Sequence, residues 1–174
     1  TTILVQRFEP SEYPWKYTKV CVAWTRSFVT YDDIRINYNV VVYDDSGPAG
    51  RPGNLVALIP GQRVGKIPAL MNHKWNATDL DIPLLNSGAY YIGVSLDNSP
   101  ASGVFIPYDQ GPFTPNWVGY HMKPVTGWQS NDSEWFNYMS AAIRTEGSPL
   151  VGVIQSNTEI PETFALEQNY PNPF

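Results

Sequence analysis

Sixteen prolines and thirteen glycines recur at short intervals along the 174 residues. Between them lie brief runs rich in Val, Ile, Thr, Tyr and Trp. Proline cannot donate to a helix or sheet ladder, and glycine favours turns, so runs of this length between such residues read as strands joined by turns. The spacing predicts strands over residues 2–8, 17–27, 35–43, 55–60, 66–70, 89–96, 103–108, 117–121 and 140–145, with almost no helix. That supply fills two packed sheets, and the length suits one domain with one core. The expectation is an all-β, two-sheet β-sandwich over residues 1–147, followed by a linker and extended C-terminal tail over 148–174.

Side-chain alternation says which faces turn inward. In Ile34-Arg35-Ile36-Asn37-Tyr38-Asn39-Val40 the even positions are apolar and the odd ones polar, so the even face goes to the core. Val40-Val41-Val42-Tyr43 and Tyr90-Tyr91-Ile92-Gly93-Val94 are continuous instead, as expected of central strands covered on both faces. Trp24, Tyr91 and Ile92 are expected inside. Between those strands the stretch from Asp44 to Gly53 is dense in residues that take positive φ or fix φ, and reads as an exposed turn-forming loop.

Composition narrows the function classes. The formal charge is −5, and the 11 Lys plus Arg form no cluster, so the basic stripe that a phosphate backbone demands is lacking and nucleic acid is not an expected partner. No apolar run reaches the length of a membrane-spanning helix, so no membrane insertion is expected. The first residues lack the pattern of a signal peptide, which reads as an already processed or trimmed chain. Cys21 is the single cysteine; it cannot form an internal disulfide, and in Val20-Cys21-Val22-Ala23-Trp24 it reads as a small buried hydrophobe rather than a reactive thiol.

The segment Pro161-Glu162-Thr163-Phe164-Ala165-Leu166-Glu167-Gln168-Asn169-Tyr170-Pro171-Asn172-Pro173-Phe174 resembles the opening of the C-terminal sorting domain of type IX secretion substrates. Such signals occur in secreted and surface proteins of Bacteroidetes and related phyla, on adhesins, proteases and surface-layer components alike. The resemblance implies an extracellular or cell-surface address and leaves the task open. The body, through Phe8-Glu9-Pro10, Tyr13-Pro14-Trp15, Val20-Cys21-Val22-Ala23-Trp24-Thr25-Arg26, Val41-Val42-Tyr43-Asp44-Asp45, Pro52-Gly53 and Tyr91-Ile92-Gly93-Val94, resembles a jelly-roll module of secreted proteins. It is similar in broad plan to adhesin-type and carbohydrate-binding sandwiches, which implies a jelly-roll-like fold but no activity.

Chemistry-bearing motifs are sparse. His73 and His121 stand far apart and in no metal-ligand spacing, and neither a nucleophile elbow nor a phosphate loop is present. Adjacent acids such as Asp32-Asp33 and Asp44-Asp45 would point to opposite faces of a strand. No catalytic residue and no cofactor is expected, and the chain does not read as an enzyme. Calcium is the metal that Asp44, Asp45, Asp79 and Asp81 could suit as hard oxygen ligands, although turn residues bonding their own backbone explain the same pattern. Trp117, Trp128 and Trp135, in a loop-rich segment, form the candidate ligand patch for sugars or a partner. Asn76-Ala77-Thr78 and Asn131-Asp132-Ser133 fit the Asn-x-Ser/Thr pattern of glycan attachment at Asn76 and Asn131.

Two functions fit a sandwich of this kind. The tail can pair as a strand with an open sheet edge of a neighbour, with Phe164, Leu166 and Tyr170 as the donor contacts, which would make a head-to-tail homopolymer and a surface fibre. The first strand, residues 2–8, is the other conceivable donor. The alternative is a monomeric adhesion or carbohydrate-binding module that uses the tryptophans.

Overall fold

The computed structural model describes residues 2–26, 36–67, 73–96, 104–106, 108–109, 119–123, 127–130 and 140–150. Within them the chain is an all-β sandwich. Its strands are β1 (Thr2–Phe8), β2 (Trp15–Arg26), β3 (Ile36–Asp44), β4 (Leu55–Val64), β5 (Lys74–Asp79), β6 (Tyr90–Leu96), β7 (Val104–Phe105), β8 (Tyr108–Asp109), β9 (Gly119–Lys123), β10 (Gly127–Ser130), β11 (Ser140–Ala141) and β12 (Ile143–Pro149). One sheet has the order β10-β9-β1-β6-β3-β4; the other runs β12-β2-β5, with β7 also on β2, and β8 with β11 forms a small pair. All named pairings are antiparallel. The chain changes sheet between β1 and β2 and again between β2 and β3, and β6 returns between β1 and β3, the interleaved order of a jelly-roll-like sandwich.

Alternation places the core as expected. Ile36, Tyr38, Val40 and Val42 of β3 pack with Tyr90, Ile92 and Val94 of β6 against Tyr17, Val20, Val22 and Trp24 of β2, all buried. Removing this much apolar surface from water, at roughly 25 cal/mol per Å², is what holds a disulfide-free sandwich together. The continuous runs in β3 and β6 are explained by a second buried cluster on the other face of the six-stranded sheet. Val5, Val41 and Tyr91 lie there, with Ile3, Tyr43 and Trp128 packed against them. The loop 44–53 closes one end of that face, because the Tyr91 hydroxyl donates to the Gly50 carbonyl. Ala49 and Gly50 take positive φ in its single 3-10 turn, as the loop composition requires.

Several expectations need correction. Lys66 and Ile67 are not in a strand, and Lys66 has φ 52°; the rest of 66–70 lies outside the described residues. Cys21 is half-buried rather than buried, since Val20 and Val22 take the inward positions on either side of it. Burial still pushes its thiol pKa up, with Glu146 adding to this and Lys19 and Arg144 opposing. The last strand begins at Ile143 and continues past residue 147, pairing Ser148 with Lys16 and Pro149 with Trp15 across a bulge at Glu146/Gly147. Leu150 then donates its N–H to the Pro14 carbonyl.

β5 is a strand that hydrophobic alternation hides, because its inward positions are polar. Thr78, Asn76 and Lys74 oppose the inward Val20, Val22 and Trp24 of β2. Thr78 donates its hydroxyl to Gln62 Oε1 at 2.9 Å, Asn76 Nδ2 donates to the Tyr38 hydroxyl at 2.7 Å, and Lys74 Nζ donates to the Gly65 carbonyl at 2.6 Å. These bonds stitch β5 over β3 and β4 along one side of the sandwich. β12, two strands away in the same sheet, borders the opposite side.

Candidate functional site

The aspartates considered for calcium are committed to the fold or stand apart. Asp44 Oδ1 accepts from the backbone N–H groups of Ser46 and Asn54 at 3.1 and 2.7 Å and from the Ser46 hydroxyl, while Oδ2 accepts from Asn54 Nδ2 at 3.1 Å. Burial raises the Asp44 pKa, but the donors on Ser46 and Asn54 outweigh it and hold the carboxyl below its ordinary value. Asp45, just past the end of β3, accepts at Oδ2 from the Ala89 N–H at 2.9 Å, so the two neighbouring carboxylates serve different partners. Asp79 and Asp81 are exposed, with Asp81 3.6 Å from Lys16 Nζ. Among the described residues, no three His, Cys, Asp or Glu side chains come together.

Of the candidate ligand patch, Trp128 is half-buried with its ring edge-on to Tyr43, centroids 5.0 Å apart. Trp117 and Trp135 lie outside the described residues, as do Asn131 and the donor residues Phe164, Leu166 and Tyr170. Asn76 is described, and the nitrogen a glycan would take is the one donating to Tyr38. Among the described tryptophans the exposed one is Trp75, which the sequence did not single out: it faces outward from β5, 39% exposed, with the Arg144 guanidinium 4.7 Å from its ring centre. The signal for it was available only to a reading that allowed β5 a polar inner face.

The sheet edges are the remaining feature with functional content. An edge strand presents unpaired N–H and C=O groups, which template pairing with another chain unless charge, proline, bulges or shortness prevent it. β12 carries such guards on its outward positions: Arg144 sits on Trp75, Glu146 pairs with Lys19 at 3.4 Å, and the bulge and Pro149 follow. β5 has its inward side chains tied down, and β10 is four residues long. β4 differs. It ends its sheet, pairs only with β3 among the described residues, and spans ten residues.

Two leucines of β4 are turned to solvent, Leu55 at 52% and Leu58 at 53% exposure. They oppose Tyr43 and Val41, so they extend the apolar outer face of the six-stranded sheet to its rim. Toward its end the strand bulges at Pro60 and Gly61, where Tyr38 faces Gln62 and Val40 faces Ile59; Gly61 takes φ +73° and donates to Asn39 Oδ1. The stretch ahead of this bulge is residues 55–59, and it contains a second register shift at Val56, where Val42 faces Ala57 and Tyr43 faces Leu55. Comparison with protein-family models, with curated proteins and with solved structures finds no match for this chain.

Proposed function

We propose that this chain is an extracellular structural subunit that polymerises into a surface fibre by β-strand donation between copies. The observation that carries the reading is the ten-residue edge strand β4, whose outer backbone has no described partner and whose Leu55 and Leu58 are exposed. A donated strand satisfies an edge's backbone groups and covers its apolar side chains, and the main chain supplies most of the affinity. The donor is the tail, with Phe164 and Leu166 two residues apart and so on one face, and Tyr170 beyond them. A head-to-tail contact of this kind is heterologous, and repeats as a filament unless its rotation closes a ring. The likeness of residues 161–174 to a type IX sorting signal supports the extracellular address. The test is a synthetic peptide of residues 159–170 added to intact protein. Capping of growth, read as a shift from long polymer to short oligomers by sedimentation, is expected; polymer length indifferent to the peptide contradicts the reading.

A second reading, a monomeric adhesion or carbohydrate-binding module, is favoured by exposed Trp75. Aromatic rings stack on pyranose faces, and the alternative requires glycan binding that Trp75→Ala abolishes.

A further inference from the structure

Charge along the chain is uneven in a way that bears on which edge receives the donor. From Ser46 to Thr78 there is no Asp or Glu, while Arg51, Arg63, Lys66 and Lys74 lie in that stretch. Arg51, Arg63 and Lys66 are exposed and flank residues 55–59 on both sides. The ion pairs of the described residues, Arg7–Glu9, Lys16–Asp81 and Lys19–Glu146, involve none of these bases. After Arg144 the pattern inverts: no Lys or Arg follows, and Glu146, Glu159, Glu162 and Glu167 do. A molecule of net charge −5 thus has one basic sheet edge and one acidic terminal segment.

Resting on the strand-donation reading, we infer that residues 55–59 of β4 are the acceptor and residues 163–167 of a second copy are the donor, selected by charge. Thr163-Phe164-Ala165-Leu166-Glu167 alternates in the manner of a strand with one apolar face, and the register shift at Val56 brings Leu55 and Leu58 to one face of the acceptor. Glu162 precedes this segment and Glu167 ends it, while Arg51 and Arg63 each lie four residues beyond the ends of Leu55 to Ile59. The basic flanks repel a second β4 and so guard against edge-to-edge self-pairing, while the same charges admit an acidic strand. The proposal fits the layout of the sandwich too. β12, from which the tail departs, borders the side opposite β4, and a segment leaving it outward meets a neighbour's β4 without doubling back. The residues between Leu150 and Thr163 can span up to roughly 40 Å when extended, enough to reach across a subunit boundary.

The experiment compares polymer formation by the intact chain, by Arg51→Glu/Arg63→Glu, by Glu162→Lys/Glu167→Lys, and by the variant carrying all four changes. Circular dichroism confirms that each is folded, and the altered bases are exposed. Each double variant is expected to raise the protein concentration needed for polymer by about tenfold, since two attractive contacts become repulsive. The fourfold variant is expected to recover most of that loss. Leu58→Lys, which leaves the flanking charges intact, is expected to weaken assembly as well. If the intact chain polymerises and the Arg51→Glu/Arg63→Glu and Leu58→Lys variants polymerise equally well, β4 is not the acceptor, although strand donation stands. If the intact chain forms no polymer, the donation reading falls and this inference with it.

Discussion

The Trp128 ring meets the Tyr43 ring edge-on at 5.0 Å, although β9, β1 and β6 lie between their strands in the sheet. Four strand spacings of about 4.8 Å separate β10 from β3, roughly 19 Å in a flat sheet. Two side chains standing upright on a flat sheet that wide would stay well apart, so the six-stranded sheet curls toward this face. The curl explains why Val5, Val41 and Tyr91, which point away from the second sheet, are buried. Trp128→Ala removes this closure and is expected to lower stability by about 2–4 kcal/mol. Trp128→Phe should cost less than half as much, and urea unfolding of the three proteins measures both.

Gly93 sits where β6 closely approaches β1, opposite Val5. A Cβ there would run into the Leu4 carbonyl oxygen and come within 2.7 Å of Val5 Cα, both backbone atoms of the neighbouring strand. Backbone cannot rotate aside as a long side chain can. Gly93→Ala is expected to destabilise by at least about 3 kcal/mol, the upper range for overpacking. A thermal midpoint unchanged from the parent would show that β1 and β6 do not approach this closely.

Asp44 anchors the loop 44–53 through donors on Ser46 and Asn54, and its pKa is held below the ordinary value. A depressed carboxyl pKa contributes stability that is complete above the unfolded value of about 3.9 and is lost as pH falls through the folded value. Asp44→Ala should therefore weaken the protein at neutral pH and flatten the acid limb of its stability profile. Denaturant midpoints between pH 2 and 7 test this, and parallel profiles for parent and variant would refute it.

The alkaline side carries the opposite sign. Burial raises the phenol pKa values of Tyr17, Tyr43 and Tyr90, with smaller charge effects at Tyr17 and Tyr90. A raised folded pKa favours the folded state fully below the unfolded value of about 10 and loses that contribution as pH rises through the folded value. Thermal midpoints should fall above pH 10, with tyrosinate absorbance appearing together with unfolding. Full ionisation of all the tyrosines before unfolding would contradict the buried placement of these rings.

Sequence pattern reached the sandwich and its core because β2, β3 and β6 obey the ordinary rule of apolar side chains inward. It missed Lys74–Asp79, where Asn76, Thr78 and Lys74 face inward and are satisfied by Tyr38, Gln62 and Gly65. Hydrogen-bonded polar groups on a core-facing edge invert the signal on which alternation depends. Gly127–Ser130 was missed because a four-residue strand leaves too short a pattern. The edge position of β4 among the described strands was beyond sequence reading, since being an edge is a property of topology. Its leucines gave no hint: in Leu55-Val56-Ala57-Leu58-Ile59 nothing marks which side chains meet water. The proposed donor residues stood out in the sequence because Phe164-Ala165-Leu166 is an apolar patch following a polar linker.

The most direct test of strand donation is negative-stain electron microscopy of the intact chain beside one ending at Leu150, whose N–H donates to the Pro14 carbonyl. Filaments from the intact chain and dispersed particles from the shortened one are the predicted result. Dispersed particles from both, or filaments from both, would contradict it.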